Sequence, residues 1–325
     1  VTDAAGLVRL AEEVRAGRPR AIARAISLAE SHGPDTASLL GLLFPSTGRA
    51  QIVGVTGAPG AGKSTLVQRI AQGARAEGRK VGILAVDPTS PFSGGAILGD
   101  RIRMQELYLD PGVFIRSMAT RGALGGLSRA TSDALDVLDS AGFDLVIVET
   151  VGVGQDEVDV IRTVDTVLVL LVPGLGDDIQ AIKAGIMEIA DVFVVNKADR
   201  PGAERTISEI EAMLGTASEH GEWIPPIVPT VASKGTGIDR LAFEIARHRA
   251  HLATSDEGRR RRTGRLRNRL ETLLREGLFS RVKQEALPEE RLAELLDQLE
   301  KRSTDPWAAA ATVLEKIDVR GWESA

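Results

Sequence analysis

The chain has 325 residues, 43% hydrophobic and 26% charged, enough for one large α/β core with helical additions. A net charge of −5 leaves no broad basic footprint for nucleic acid, and the lack of cysteine excludes disulfides, thiolate metal sites and cysteine nucleophiles. The longest apolar run, near Val167–Val172, is too short to span a bilayer, so no membrane role is expected. The first residues have no signal-peptide character. The expected location is the cytoplasm, or the mitochondrial matrix if the source is eukaryotic.

Residues 1–48 read as a helical segment, with Leu7, Leu10 and Val14, then Ala21, Ile22, Ala25, Ile26 and Leu28, at helical spacing. Residues 49–250 alternate strand and helix signals. Strands are predicted at Gln51–Thr56, Val81–Val86, Phe143–Val148, Thr166–Val172, Val192–Asn196 and Ile227–Val231, and a helix at Lys63–Glu77. Nearly continuous apolar runs suit strands buried on both faces of a mainly parallel, doubly wound α/β sheet. Its ligand belongs in the loops after the strand ends. Residues 251–325 form a helical extension, with helices predicted at Arg259–Glu276, Pro288–Arg302 and Pro306–Ile317. Thr304, Asp305 and Pro306 make a helix start, a capping side chain followed by proline in the first turn.

Gly57-Ala58-Pro59-Gly60-Ala61-Gly62-Lys63-Ser64-Thr65 joins the first strand to the first core helix and fits the Gly-x4-Gly-Lys-[Ser/Thr] phosphate-loop pattern. Small residues let successive backbone N–H groups curl around a phosphate, and the helix N-terminus adds partial positive charge. Lys63 would reach the β- and γ-phosphate oxygens, and Ser64 would offer its hydroxyl to Mg²⁺.

The strand Val192–Val195 runs into Asn196-Lys197-Ala198-Asp199. Guanine carries a ring N–H beside an exocyclic amino group, and one carboxylate, Asp199, can accept both. Adenine lacks that donor pair, so the site discriminates against ATP. Asn196 can tie neighbouring loops together, and the Lys197 stem can lie along the ring. Downstream, the Ser233 backbone N–H of Ala232-Ser233-Lys234 is placed to reach the guanine carbonyl, unless this is a simple turn.

Three segments supply candidates for metal and switch roles. Asp87 ends the second strand in position for a Mg²⁺ shell, though an aspartate there also caps turns. The Gly/Ser/Pro-rich stretch 91–99 delivers Asp100, Arg101 and Arg103, any of which could sense the γ-phosphate. After the strand ending at Val148 come Glu149-Thr150-Val151-Gly152, where GTPases in general have Asp-x-x-Gly: the acid holds Mg²⁺ through water and the glycine N–H meets the γ-phosphate. Val153 stands where many GTPases carry a water-orienting glutamine, and valine cannot hydrogen-bond to water. Slow intrinsic hydrolysis is therefore expected unless Gln155 or a partner completes the site. Asp177, Asp178, Gln180 and Lys183 lie in one turn-to-helix segment and could exchange partners between nucleotide states, or cap a helix with Lys183 solvated.

Taken together, these residues resemble the GTPases that chaperone adenosylcobalamin-dependent acyl-CoA mutases. This is the methylmalonyl-CoA mutase-associated family, once labelled an arginine/ornithine transport kinase group. The resemblance spans about Ala21 to Ile317 and is carried by Arg24–Glu30, Gly54–Thr65, Val86–Pro91 with Gly94–Asp100, Glu149–Gln155 and Gly176–Lys183. It implies that Asp87, Asp100 and Glu149 are metal and catalytic-loop acids, and that the loop with Asp177, Gln180 and Lys183 is a further switch that communicates with the mutase. It also implies a homodimer formed through the C-terminal extension, and a GTP cycle that gates cobalamin loading and release of damaged cofactor. The cobalamin belongs to the partner, and the partner accelerates hydrolysis. Arg101 and Ile102 depart from the lysine and threonine expected after Asp100, which suggests a subgroup serving a different acyl-CoA mutase.

The alternative is a metal-insertion GTPase for a nickel enzyme. Such a protein usually uses histidine or cysteine ligands, and here cysteine is absent and four histidines are scattered. A small-molecule kinase would need a base for its acceptor, and no motif supplies one. The basic run Arg259–Arg262 with Arg265, Arg267 and Arg269 reads as a solvated helix face or a dimer contact. Leu266, Leu270, Leu273 and Leu274 give the same helix an apolar stripe.

Overall fold

In a computed structural model of the chain, the described residues are 3–31, 33–87, 105–119, 126–150, 161, 163–174, 189–216 and 222–316. Three helices lead: α1 (Ala4–Arg15), α2 (Pro19–Ser31) and α3 (Pro34–Leu43). The α/β elements follow as β1 (Gln51–Gly57), α4 (Lys63–Ala76), β2 (Val81–Asp87), the short α5 (Gln105–Tyr108), β3 (Val113–Ala119), α6 (Gly126–Ser140), β4 (Leu145–Thr150), β5 (Thr166–Leu171), β6 (Val192–Asn196), α7 (Ala203–Thr216), β7 (Ile227–Thr230) and α8 (Ile238–Thr254). The chain closes with α9 (Asp256–Glu285), α10 (Glu289–Glu300) and α11 (Pro306–Leu314).

The seven strands form one sheet in the order β3-β2-β4-β1-β5-β6-β7, and every pairing is parallel. The doubly wound sheet expected from the apolar runs is therefore what the chain builds. Successive strand residues face opposite ways. Val53, Val55, Ile147, Leu168, Leu170 and Val194 join Leu66, Val67 and Ile70 of α4 and Leu241 and Ile245 of α8. Val146, Val148, Val169, Leu171, Phe193 and Val195 join α6, Ile210 of α7, and the apolar stripes of α1–α3. With both faces covered, strands are apolar at consecutive positions.

Strand β3 escaped the sequence reading. It sits at the sheet edge, and its centre is Arg116, whose guanidinium pairs with Glu30 of α2 at 2.5 Å. The strand starts are tied off by aspartates: Asp165 accepts from the Ile52 N–H (3.1 Å), Asp144 from Lys80 (2.7 Å) and Asp191 from Val167 (2.8 Å). Each satisfies a backbone donor that the parallel ladder leaves over.

Two compact units divide after Arg259. The second has a small core of its own, Ala286, Leu295, Ala309 and Val313. Its last helix starts as expected: Asp305 accepts from the Trp307 and Ala308 N–H groups, with Pro306 in the first turn. Helix α9 is longer than the predicted Arg259–Glu276, because pairs such as Arg281–Glu285 carry it past Gly277. Among the described residues, no helix is long and apolar enough to cross a membrane.

Candidate nucleotide site

Strand order reverses at β1, which has β4 on one side and β5 on the other. A crevice opens at the carboxyl ends of the strands at such a point, and the phosphate loop leaves β1 there. Gly62, the last loop residue before α4, has φ 95°, and a Cβ on it would lie 2.5 Å from Asn196 Nδ2. No other residue type fits so close a contact in that backbone conformation. Lys63 opens α4 with its side chain folded under the loop, and Nζ donates to the Gly57 and Ala58 carbonyls at 2.7 and 3.1 Å. Its charge is thereby held inside the ring of residues 57–63.

Ser64 and Glu149 meet. Strand β4 lies beside β1 with Glu149 level with Val55, and Ser64 Oγ donates to Glu149 Oε1 at 2.6 Å. Glu149 is only 4% exposed. A hydroxyl and a carboxylate in contact form a hard oxygen donor set of the kind Mg²⁺ takes. The sequence proposed these two side chains as metal ligands from motifs 85 residues apart, and the fold puts them together. Asp87 ends β2, but its side chain, like Asp100, Gly152, Gln155, Asp177 and Lys183, lies outside the described residues.

The loop after β6, the candidate base-reading loop, is built around Asn196, the last residue of that strand. Its Nδ2 donates to the Ala61 carbonyl of the phosphate loop at 2.8 Å. Its Oδ1 accepts from Thr230 Oγ1 and from the Ala232 N–H, both at 3.1 Å. One side chain thus ties three loops. Thr230 had no sequence signal, because a hydroxyl at the end of a short strand is unremarkable until its partner is known. Lys197 follows with φ 57°, the left-handed region a lysine seldom adopts, and Nζ reaches the Gly60 carbonyl at 2.7 Å. Asp199 accepts from Lys234 Nζ at 2.9 Å. That hydrogen bond, with the attraction of the ammonium, holds the Asp199 carboxyl below its ordinary pKa, so it is an anion at neutral pH.

Residues 22–287 match the family described as methylmalonyl Co-A mutase-associated GTPase MeaB. The chain belongs to this GTPase family. A Pyrococcus horikoshii protein provisionally named a GTPase is 49% identical over 311 residues, covering 95% of this chain and 97% of its own. The Escherichia coli GTPase ArgK is 39% identical over 261 residues, 77% of this chain and 78% of its own. A crystal structure of an LAO/AO transport system kinase superposes with a TM-score of 0.72 at 27% identity, covering 97% of this chain and 98% of that one. Family and fold together make this a P-loop GTPase.

Proposed function

We propose that the protein hydrolyses GTP and uses the cycle to gate cofactor loading, protection or repair of an adenosylcobalamin-dependent acyl-CoA mutase. The observation that carries the enzymatic part is the meeting of Ser64 with Glu149 beneath a phosphate loop that Asn196 bonds directly to the base-reading loop. Family membership carries the mutase part.

In this reading the backbone N–H groups of residues 58–65 hold the phosphates, and Lys63 turns its charge toward the β- and γ-phosphate oxygens. Ser64 and Glu149, with Asp87 and Asp100, would hold Mg²⁺, which when bound neutralises charge on the phosphates. Asp199, anionic and steadied by Lys234, accepts both donors of guanine, and the Ser233 N–H donates to its carbonyl. Gly152 offers its N–H to the γ-phosphate. Val153 cannot orient water, so Gln155 and the loop bearing Asp177 and Lys183 are left to complete the site when the partner docks. Turnover is slow alone and rises with the mutase.

The same reading makes the protein a homodimer through residues 251–325. Leu266, Leu270, Leu273, Leu274 and Leu278 of α9 are all at least 40% exposed, a stripe at helical spacing that a second copy would bury. We place it in the mutase's compartment, cytoplasmic or, in a eukaryote, the mitochondrial matrix.

The test is phosphate release from GTP, with and without the adenosylcobalamin-dependent mutase of the same organism. Stimulation of hydrolysis, together with nucleotide-dependent transfer of cofactor to the apo-mutase, is the expected result. No change in either protein's behaviour would remove the chaperone assignment and leave the GTPase intact.

A further inference from the structure

Arg69 belongs to none of the nucleotide motifs, yet it holds the base-reading turn. It lies on α4, five residues after Ser64. Its Nε donates to the Ala232 carbonyl and one terminal nitrogen to the Ser233 carbonyl, both at 3.0 Å. The other terminal nitrogen donates to Gln72 Oε1 at 3.2 Å, which fixes the plane of the fork from the helix side. The acceptors are consecutive carbonyls of the 3₁₀ turn Ala232–Lys234.

A trans peptide points its N–H opposite to its C=O. The Ala232 carbonyl and the Ser233 N–H are the two ends of one peptide unit. By holding that carbonyl against α4, Arg69 aims the Ser233 N–H away from the helix, and it polarises that N–H toward its own acceptor. The peptide on the other side of Ser233 is held as well: its carbonyl meets Arg69, and its Lys234 N–H donates to the Val231 carbonyl at 2.9 Å. Asn196 Oδ1 takes the Ala232 N–H from the opposite side. The turn is thus gripped between α4 and β6, and it ends in Lys234, the residue that steadies Asp199.

We infer that Arg69 is a positioning residue for base specificity: its bidentate fork on the Ala232 and Ser233 carbonyls orients the Ser233 N–H and the Lys234–Asp199 pair toward guanine. This rests on the guanine-nucleotide reading of the site. Lysine cannot replace the fork, because it is a single point charge and cannot grip two carbonyls in a fixed plane.

The experiment measures equilibrium binding of GDP, IDP, ADP and inorganic tripolyphosphate to the full chain and to its Arg69→Gln and Arg69→Lys variants. IDP lacks the exocyclic amino group, and tripolyphosphate has no base. The expected result in Arg69→Gln is a fall in the preference for GDP over ADP of about tenfold or more, with tripolyphosphate binding unchanged. The Lys variant should fall between wild type and Gln. Equal weakening of all four ligands would overturn the proposal, since that marks general damage to α4 or the loop. So would a GDP preference that survives Arg69→Gln intact. A wild-type chain that does not prefer GDP over ADP would instead remove the guanine reading itself, and the Arg69 role with it.

Discussion

Replacing Asn196 by alanine removes three hydrogen bonds through one side chain, and the groups left behind have little access to water. Ala61 is 0% exposed, Ala232 2% and Thr230 0%. The Thr230 hydroxyl can rotate toward another acceptor. The Ala61 carbonyl and the Ala232 N–H are backbone groups and cannot move far. A buried polar group stripped of its partner costs about 1–3 kcal/mol, so two of them set a loss of about 3 kcal/mol. In a unit of this size each kcal/mol lowers the melting midpoint by about 2–4 °C, so a drop of about 6–12 °C is expected. Calorimetry without nucleotide is the right assay, because ligand would add its own stabilisation and mix lost affinity with lost stability. Thr230→Val serves as the control. It removes one donor to Asn196 Oδ1 but leaves the Ala61 and Ala232 bonds, and it should cost about 1 kcal/mol or less. An Asn196→Ala midpoint within about 2 °C of wild type would refute the reasoning, and so would a Thr230→Val loss of the same size.

Two further expectations can be checked directly. Glu149→Gln keeps the size of the side chain and an acceptor for Ser64 but removes the anion, so the Mg²⁺ needed for half-maximal GTP binding should rise by about tenfold or more while metal-free nucleotide binding holds; fluorescent-nucleotide titration at varied Mg²⁺ reads this, and an unchanged metal requirement counts against Glu149 as a ligand. Arg75 grips Asp110 through two bonds of 2.9 Å, and this bond above all, helped by the Gly112 N–H, holds the Asp110 carboxyl below its ordinary pKa. A folded-state pKa below the unfolded one gives stability that is complete above the ordinary value and lost as pH falls through the folded value. Asp110→Asn should therefore cost about 1 kcal/mol at neutral pH in urea unfolding, and the gap to wild type should close in acid; a gap that widens on acidification would contradict this sign.

The parts of the molecule that could be read in the sequence are those where chemistry dictates residue type at fixed spacing. The phosphate loop needs small residues and then a lysine and a hydroxyl, and the base loop needs an amide and a carboxylate at the end of a strand, so both stood out. The central strands were legible because burial on two faces leaves an unbroken apolar run. What stayed hidden had polar residues in the buried stripe. Helix α6 carries Asp139 in its last turn, 7% exposed, where the carboxylate accepts from the Gly48, Arg49 and Ala50 N–H groups and fixes the approach to β1. Helix α8 carries Glu244 at 6% and His248 at 0% exposure, and the histidine ring meets Thr166 Oγ1 at 2.9 Å at the start of β5. Each polar group interrupts the apolar period that a helix pattern relies on, and Asp139 and His248 are explained only by partners far away in the chain. Arg69 was invisible for a related reason, since an arginine on a helix looks like a surface charge until the turn it holds is in place.

In the proposed reading, the joint between the two loops also bears on how tightly phosphate is held. Lys197 donates to the Gly60 carbonyl and Asn196 to the Ala61 carbonyl, and both carbonyls belong to the phosphate loop. A carbonyl that accepts a hydrogen bond draws electron density along its peptide and strengthens the N–H at the other end. For the Ala61 carbonyl that N–H belongs to Gly62, one residue before Lys63. The Gly60 bond acts on the preceding peptide, whose Ala61 N–H already donates to the Ala58 carbonyl at 3.1 Å, so it firms the loop's own turn. In the guanine reading proposed above, Asn196 therefore also raises the donor strength of the Gly62 N–H. Arg69 acts on the far side of the same site, on the turn alone. On that reading Asn196 serves both phosphate affinity and base selectivity while Arg69 serves the turn alone, so a substitution shifts selectivity without phosphate affinity only where it leaves Asn196 in place.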